Sequence, residues 1–226
     1  MRIIFVRHGE PNYQKDCLTE LGRKQAEAAA ERLRDEGIDT VFTSPYGRAL
    51  QTAEITAERL NLGPVKVLDF MHELHWGSKS GDPIFADGHP WEIADELSRT
   101  GWDLTRLDWA EHPLYADNRV VESANLVAVK TDEWMASLGY ERDGAYYRCV
   151  RENSRTVALF SHGGSSVAMI GRMMNLAFPY CCAAMHFHFT GVTILRFDRR
   201  EGSRNLPVIE LFNDGAHIKD LPSELP

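Results

Sequence analysis

Arg7-His8-Gly9-Glu10, Arg48 and His162-Gly163-Gly164 are the residues of this chain whose types suit phosphate chemistry. A guanidinium presents a planar fork of donors that matches phosphate oxygens, and a neutral imidazole near pH 7 can act as a nucleophile or a donor. Each feature is weak alone. An Arg-His pair after a strand is more often a turn or a structural pair, and a lone arginine on a helix is ordinarily solvated. His162 says more, because the two glycines behind it allow the backbone to approach a ligand closely. Together the three features offer clustered donors for one anion, provided the fold brings them to one place.

The pattern of elements supplies that place. Arg2 to Val6 is a short apolar, β-branched run, as expected of a strand covered on both faces, and Thr156 to Phe160 is another. Thr40 to Thr43, Val65 to Leu68, Thr193 to Phe197 and Pro207 to Phe212 are further strand candidates. Between them, Thr19 can cap a helix with Ala26, Ala29, Ala30 and Leu33 on one face and Gly37 as its stop. Ser44-Pro45 reads as the start of a second helix lined by Ala49, Ala53, Ala57 and Leu60. Val120, Ala124, Val127, Thr131, Trp134 and Leu138 form a third stripe ended by Gly139, and a fourth helix runs from His162 through Met174. From about 78 to 119 the period breaks amid Gly81, Pro83, Gly88, Pro90 and Pro113, which predicts an irregular or partly helical insertion. Alternating strands and helices indicate an α/β fold: a three-layer sandwich with a mostly parallel central sheet, helices on both faces and an inserted cap, in a single domain spanning 1–226. Ligands of such sheets bind beyond the carboxyl ends of the strands, where all three features fall.

At this point several ordered blocks resemble the histidine phosphatase superfamily, in its phosphoglycerate-mutase-like branch. Phe5-Val6-Arg7-His8-Gly9-Glu10 looks like its signature. The stretches Leu18 to Ala26, Ser44 to Ala53, Glu73-Leu74-His75-Trp76-Gly77 and Ser161-His162-Gly163-Gly164 resemble its later blocks. Glu122-Ser123 is similar to another, although Val121 replaces the usual Gly. The resemblance covers 1–77, about 120–175 and loosely the end near His217, but not the insertion.

The resemblance implies a mechanism that these residue types can support. His8 would attack phosphorus in line and become a phosphohistidine. Arg7, Arg48 and His162 would hold the equatorial oxygens, where transition-state charge is spread. Glu73 would protonate the leaving oxygen and then deprotonate water, a role that burial beside aromatics such as Trp76 would favour. Gly163 and Gln14 would contact substrate, Gln14 standing where many relatives carry Asn. Pro11 replaces a common Thr in the same loop. No metal or other cofactor is implied.

The remaining histidines and tryptophans have plainer readings. His72 and His75 flank Glu73 and read as surface or structural residues, with metal ligation as the alternative. His186-Phe187-His188 has strand alternation that puts both imidazoles on one face. His217 sits in a loop. Trp91, Trp102 and Trp109 in the insertion read as packing of a small cap, with stacking on a substrate as the alternative.

Composition sets the outer bounds. The 226 residues carry 25 Lys and Arg against 33 Asp and Glu, a net charge of −8, which argues against a nucleic-acid or anionic-membrane surface. No apolar run approaches a membrane span, and Ile3 to Val6 is too short for a signal peptide. Cys17, Cys149, Cys181 and Cys182 read as free thiols of a cytoplasmic protein. The favoured function is a metal-independent phosphomonoesterase acting on a small phosphorylated substrate. A mutase of the same family is the first alternative, and the short loop from Glu10 to Leu18, without a longer Trp-bearing segment, favours phosphatase. A metal-dependent hydrolase built on His72, His75, His186 and His188, and a non-catalytic phosphate-binding module, are the others. The sequence leaves the substrate's identity and the oligomeric state open.

Overall fold

In the computed structural model, which describes residues 1–223 and 225, the apolar run at the start of the chain is a central strand, β1 (Arg2–Arg7). After it come a small hairpin of β2 (Pro11–Asn12) and β3 (Cys17–Leu18), helix α1 (Glu20–Leu33), β4 (Thr40–Thr43), α2 (Gly47–Arg59) and β5 (Lys66–Val67). Helices α3 (Pro90–Arg99) and α4 (Val120–Ser137) lead to a second hairpin, β6 (Tyr140–Asp143) with β7 (Tyr146–Cys149). The chain finishes with β8 (Thr156–Ser161), α5 (Gly163–Met174), α6 (Phe178–Ala184), β9 (Val192–Arg196), β10 (Arg204–Asn205) and β11 (Val208–Asp214).

The main sheet has the order β11-β9-β1-β8-β4-β5. Its β1, β8, β4 and β5 are parallel, while β9 and β11 add an antiparallel flank. Alternate residues of the central strands feed two cores. Ile3, Phe5, Val157 and Leu159 pack with residues of α3, α4, α5 and α6, whereas Ile4, Val6, Ala158 and Phe160 pack with Leu33 of α1 and Ala53 and Ala57 of α2. Covering both faces is what requires uniformly apolar strands. The result is the expected three-layer α/β sandwich with a mostly parallel sheet.

Register then aligns the strand ends. Arg7 pairs with Ser161 and Thr43 with Phe160, so His8, Ser44 and His162 leave three adjacent strands side by side. The N–H groups of His8 and Ser44 extend the ladder to the carbonyls of Ser161 and Phe160, each at 2.9 Å.

Several elements differ from the sequence expectation. The second helix begins at Gly47, not at Pro45: Ser44 Oγ accepts the Tyr46 N–H at 3.2 Å and holds Ser44-Pro45-Tyr46 out of the helix. His186 and His188 do lie on one exposed side of an alternating stretch, but that stretch pairs with no strand. The hairpin of β6 and β7, turned by Gly144-Ala145 with Gly144 at φ +62°, and helix α6 were not expected. Within the insertion, Pro90 opens a regular helix, α3, whose Ile93, Ala94 and Leu97 join the main core together with Trp109 and Tyr115. The insertion is therefore packed into the body of the domain. The four cysteines are unpaired, and among the described residues no helix is long and apolar enough to cross a membrane.

Candidate active site

Two glycine contacts shape the loop that follows β1. A Cβ on Gly9 would meet the Gly22 carbonyl oxygen at 2.5 Å, and one on Gly22 would meet the Glu10 carbonyl oxygen at 2.1 Å. Only glycines let the loop lie this close to α1. Thr19 caps that helix by accepting the Gly22 N–H at 3.0 Å, and its hydroxyl donates to Glu10 Oε1 at 2.8 Å.

His8 is almost fully buried at the head of this loop. Its Nδ1 lies 2.8 Å from the Gly9 carbonyl oxygen, so Nδ1 carries the proton and donates. Nε2 is left with its lone pair, towards which Arg48 Nε donates at 3.2 Å. Burial, then the charges of Arg7 and Arg48, push the His8 imidazole well below its ordinary value of 6.5. It is therefore a neutral base at physiological pH.

Arg48 reaches His8 from the first turn of α2, braced by a residue that sequence reasoning missed. Asp16 Oδ1 accepts from Arg48 Nη1 at 2.6 Å, and Asp16 Oδ2 accepts the Gly47 N–H at 2.7 Å. Asp16 thus caps α2 from a distant loop, in a left-handed conformation with φ +47°. Gly47 makes this possible, since a Cβ there would meet the Asp16 carbonyl oxygen at 2.1 Å. The signal available in the sequence was an Asp in a polar loop and a helix opening Gly-Arg without a capping side chain of its own. Tyr13 and Tyr46 add aromatic faces 5.5 and 5.0 Å from the Arg48 guanidinium.

Arg7 donates from Nη1 to the Phe187 carbonyl at 2.7 Å and lies 4.1 Å over the Phe189 ring. Burial lowers its pKa without threatening its charge. His162 is fully buried as the N-cap of α5, its ring centroid 5.1 Å from that of His8. Its Nε2 is 2.7 Å from Ser44 Oγ, while Nδ1 has no hydrogen-bond partner among the described residues. Burial, then the neighbouring His8 imidazole and the charges of Arg48 and Arg7, hold this imidazole well below 6.5 as well. Beside it, Gly163 and Gly164 open α5, where the first N–H groups of a helix lack acceptors and favour an anion.

The Glu73 carboxyl completes the group. Its Oε1 accepts the Leu74 N–H at 2.9 Å and the Ser165 N–H at 3.2 Å, against the first turn of α5. A Cβ on Gly164 would come within 2.6 Å of that oxygen, so only Gly allows this fit. Burial raises the Glu73 pKa, opposed by the Leu74 N–H and by Arg7. The enclosing partners are Leu74 and the start of α5; Trp76 instead packs against His89, 5.2 Å between ring centres.

The structure thus brings Arg7, His8, Arg48, Glu73, His162 and Gly163 to one sheet edge. Gln14 is not brought in: it is exposed at the tip of the β2–β3 hairpin and makes no hydrogen bond among the described residues. From the insertion, Trp91 lies 3.9 Å from where a Cβ on Gly163 would stand. His217 Nε2 lies 3.1 Å from Thr190 Oγ1, a structural tie. Among the described residues no three His, Cys, Asp or Glu side chains converge as a group able to hold a metal ion. Two neutral imidazoles, the guanidiniums of Arg7 and Arg48 and a buried carboxyl of raised pKa are together equipped to move a phosphoryl group.

Comparison with known proteins agrees with this geometry. The chain is 36% identical over 235 residues to a probable phosphoglycerate mutase, GpmB, of Yersinia enterocolitica, spanning 99% of this chain and 97% of that one. An uncharacterized phosphatase, PhoE, of Bacillus subtilis is 36% identical over 91 residues, covering 36% of this chain and 47% of that one. Among solved structures, a mycobacterial glucosyl-3-phosphoglycerate phosphatase in complex with inorganic phosphate superposes with a TM-score of 0.64 at 26% identity, covering 96% of this chain and 99% of that one. The family model of the histidine phosphatase superfamily, branch 1, matches residues 3–209, and the chain belongs to that superfamily.

Proposed function

We propose that this enzyme is a metal-independent phosphatase that hydrolyses a small phosphomonoester through a phosphohistidine on His8. The observation that carries the reading is the state of His8: neutral, with Nδ1 committed to the Gly9 carbonyl and the Nε2 lone pair at the strand edge. As the Nε2–P bond forms, the ester P–O bond breaks, and Arg7, Arg48 and His162 Nδ1 receive the equatorial oxygens. Glu73, its pKa raised by burial, gives its proton to the leaving oxygen. A water then attacks phosphorus as Glu73 takes its proton, the N–P bond breaks, and inorganic phosphate leaves.

The insertion at about 78–119 serves in this reading as a cap over the sheet edge, with Trp91 beside Gly163 as its nearest approach. The protein's net charge of −8 favours a small molecule over nucleic acid or an anionic membrane as partner. Similarity to GpmB supports a second reading, a phosphoglycerate-mutase-type phosphotransferase that returns the phosphoryl group to its product. The short loop from Glu10 to Leu18, without a longer Trp-bearing segment, favours hydrolysis. Hydrolysis of p-nitrophenyl phosphate in EDTA, wild type beside His8→Ala, tests the reading. Turnover lost with His8 is expected; turnover equal in both proteins would overturn it.

A further inference from the structure

Among the described residues, Thr190 is the one β-branched residue with a left-handed backbone, at φ +54°. That conformation is strained for a branched side chain and persists only where the surroundings impose it. Thr190 is fully buried in the segment that leads into β9. Because β9 runs antiparallel to β1, this segment lies beside the residues that end and follow β1, Arg7 and His8.

The turn holds both of them. The Thr190 N–H donates to the Arg7 carbonyl at 2.9 Å and to the His8 carbonyl at 3.3 Å. The Phe187 carbonyl accepts from the Arg7 guanidinium, and the Phe189 ring lies against that guanidinium and 5.6 Å from the His8 ring. Hydrogen bonds, more than packing, secure the turn in its place. A cavity of about 440 Å³ adjoins it, lined by Arg7, Phe187, His188, Phe189 and Asn213 among others. Asn213 Oδ1 accepts the His188 N–H at 2.8 Å, and a Cβ on Gly191 would run into the same oxygen. The Thr190 hydroxyl lies 3.1 Å from Nε2 of His217, on a short turn (Ala216–Ile218) after β11. Burial lowers the His217 pKa, so the ring bonds as a neutral group and brings no second charge towards Arg7. Gly or Asn would adopt the Thr190 backbone with less strain. What Thr adds is a hydroxyl aimed at His217.

We propose that Thr190 and His217 are positioning residues: their contact latches the strained turn, and the turn holds Arg7 and His8 in the geometry that receives a phosphoryl group. Neither touches the substrate. The inference rests on Arg7 and His8 forming the phosphoryl site, and it holds whether water or an alcohol takes the phosphoryl group.

Calorimetric titration with inorganic phosphate reads the latch without requiring turnover. Partial unfolding lowers the stoichiometry and leaves Kd unchanged, whereas a misaimed Arg7 raises Kd. Thr190→Val keeps the branched shape, loses the hydroxyl and should raise Kd about tenfold. Thr190→Gly loses the hydroxyl while relieving the backbone, so it should show the same rise even if the Val variant folds poorly. Thr190→Ser restores the hydroxyl and should bring Kd back to within about twofold of wild type. Thr190→Val combined with His217→Ala should lose no more than either change alone, because both break one contact. KM for p-nitrophenyl phosphate should follow Kd through the series. A wild-type Kd in both Thr190→Val and Thr190→Gly, a Kd raised as much by Thr190→Ser, or losses that multiply in the double variant would overturn the latch. Turnover of p-nitrophenyl phosphate by wild type beside His8→Ala decides the phosphatase reading separately.

Discussion

Arg48 Nε donates to His8 Nε2 at 3.2 Å, so a guanidinium rests on the lone pair that would attack phosphorus. An arriving phosphate must draw that guanidinium onto its own oxygens, which frees Nε2 at the moment the electrophile is in place. The same contact, with burial and Arg7, disfavours an imidazolium.

The pH profile should record this. His8 and His162 are both held well below 6.5, so neither gains a proton as pH falls from 7 towards 6. We expect kcat/KM on p-nitrophenyl phosphate, whose leaving group needs no proton, to stay level through 6.5 and to drop only at lower pH. A kcat/KM profile that halves at 6.5 would show an ordinary, solvated imidazole in the rate-determining role.

Glu73 shifts the other limb. Its carboxyl works as an acid only while protonated, and burial raises its pKa above 4.5. Activity on poor leaving groups should therefore fall as pH rises through that raised value, while p-nitrophenyl phosphate, whose leaving group needs no proton, should not follow. Glu73→Gln should slow an alkyl phosphate about 10²-fold and p-nitrophenyl phosphate far less. Equal losses on both substrates would remove Glu73 from the acid role.

Gly164→Ala offers a test that leaves the carboxyl chemically intact. The added Cβ would stand 2.6 Å from Glu73 Oε1 and 3.1 Å from Leu74 Cδ1. Overpacking of this kind costs about 1–3 kcal/mol. The folded fraction should reproduce the leaving-group selectivity of Glu73→Gln, measured as the ratio of rates on alkyl and nitrophenyl esters. An unchanged ratio would mean that Glu73 tolerates displacement.

Asp16 braces Arg48 and caps α2 with its two oxygens, and substitutions can part the two roles. Asp16→Ala should lower stability by about 1 kcal/mol through loss of the cap. Asp16→Asn retains an oxygen for the Gly47 N–H and should recover most of that stability in denaturant titrations. Both should raise KM for the phosphoester, because Arg48 loses the ion pair that aims it. A KM at the wild-type value in both variants would make the brace irrelevant to binding.

Sequence pattern revealed most where one physical demand dominated. Strands β1 and β8 had to be apolar on both faces, so their cores Ile3 to Val6 and Val157 to Phe160 were readable directly, and the parallel order placed His8 and His162 at one edge. Asp16 was hidden because its partners, Gly47 and Arg48, are close only after folding, and local pattern put a helix start at Pro45 instead. Gln14 was carried over from resemblance alone; the hairpin tip holds it in solvent. The Gly144-Ala145 turn between tyrosine-rich flanks, with Gly at its first central position, was a readable hairpin signal that went unused. His186 and His188 alternate as a strand does because Phe187 and Phe189 anchor the stretch into the protein, with no neighbouring strand to pair with.

The phosphohistidine is the point on which the chemistry turns, and acid-labile, base-stable phosphate bound to the protein is its mark. Rapid quenching of the enzyme with a ³²P-labelled phosphoester should trap up to one labelled phosphate per chain, kinetically competent with turnover and absent from His8→Ala. Turnover with no label trapped at any time, or label that persists without His8, would contradict a covalent step on this residue.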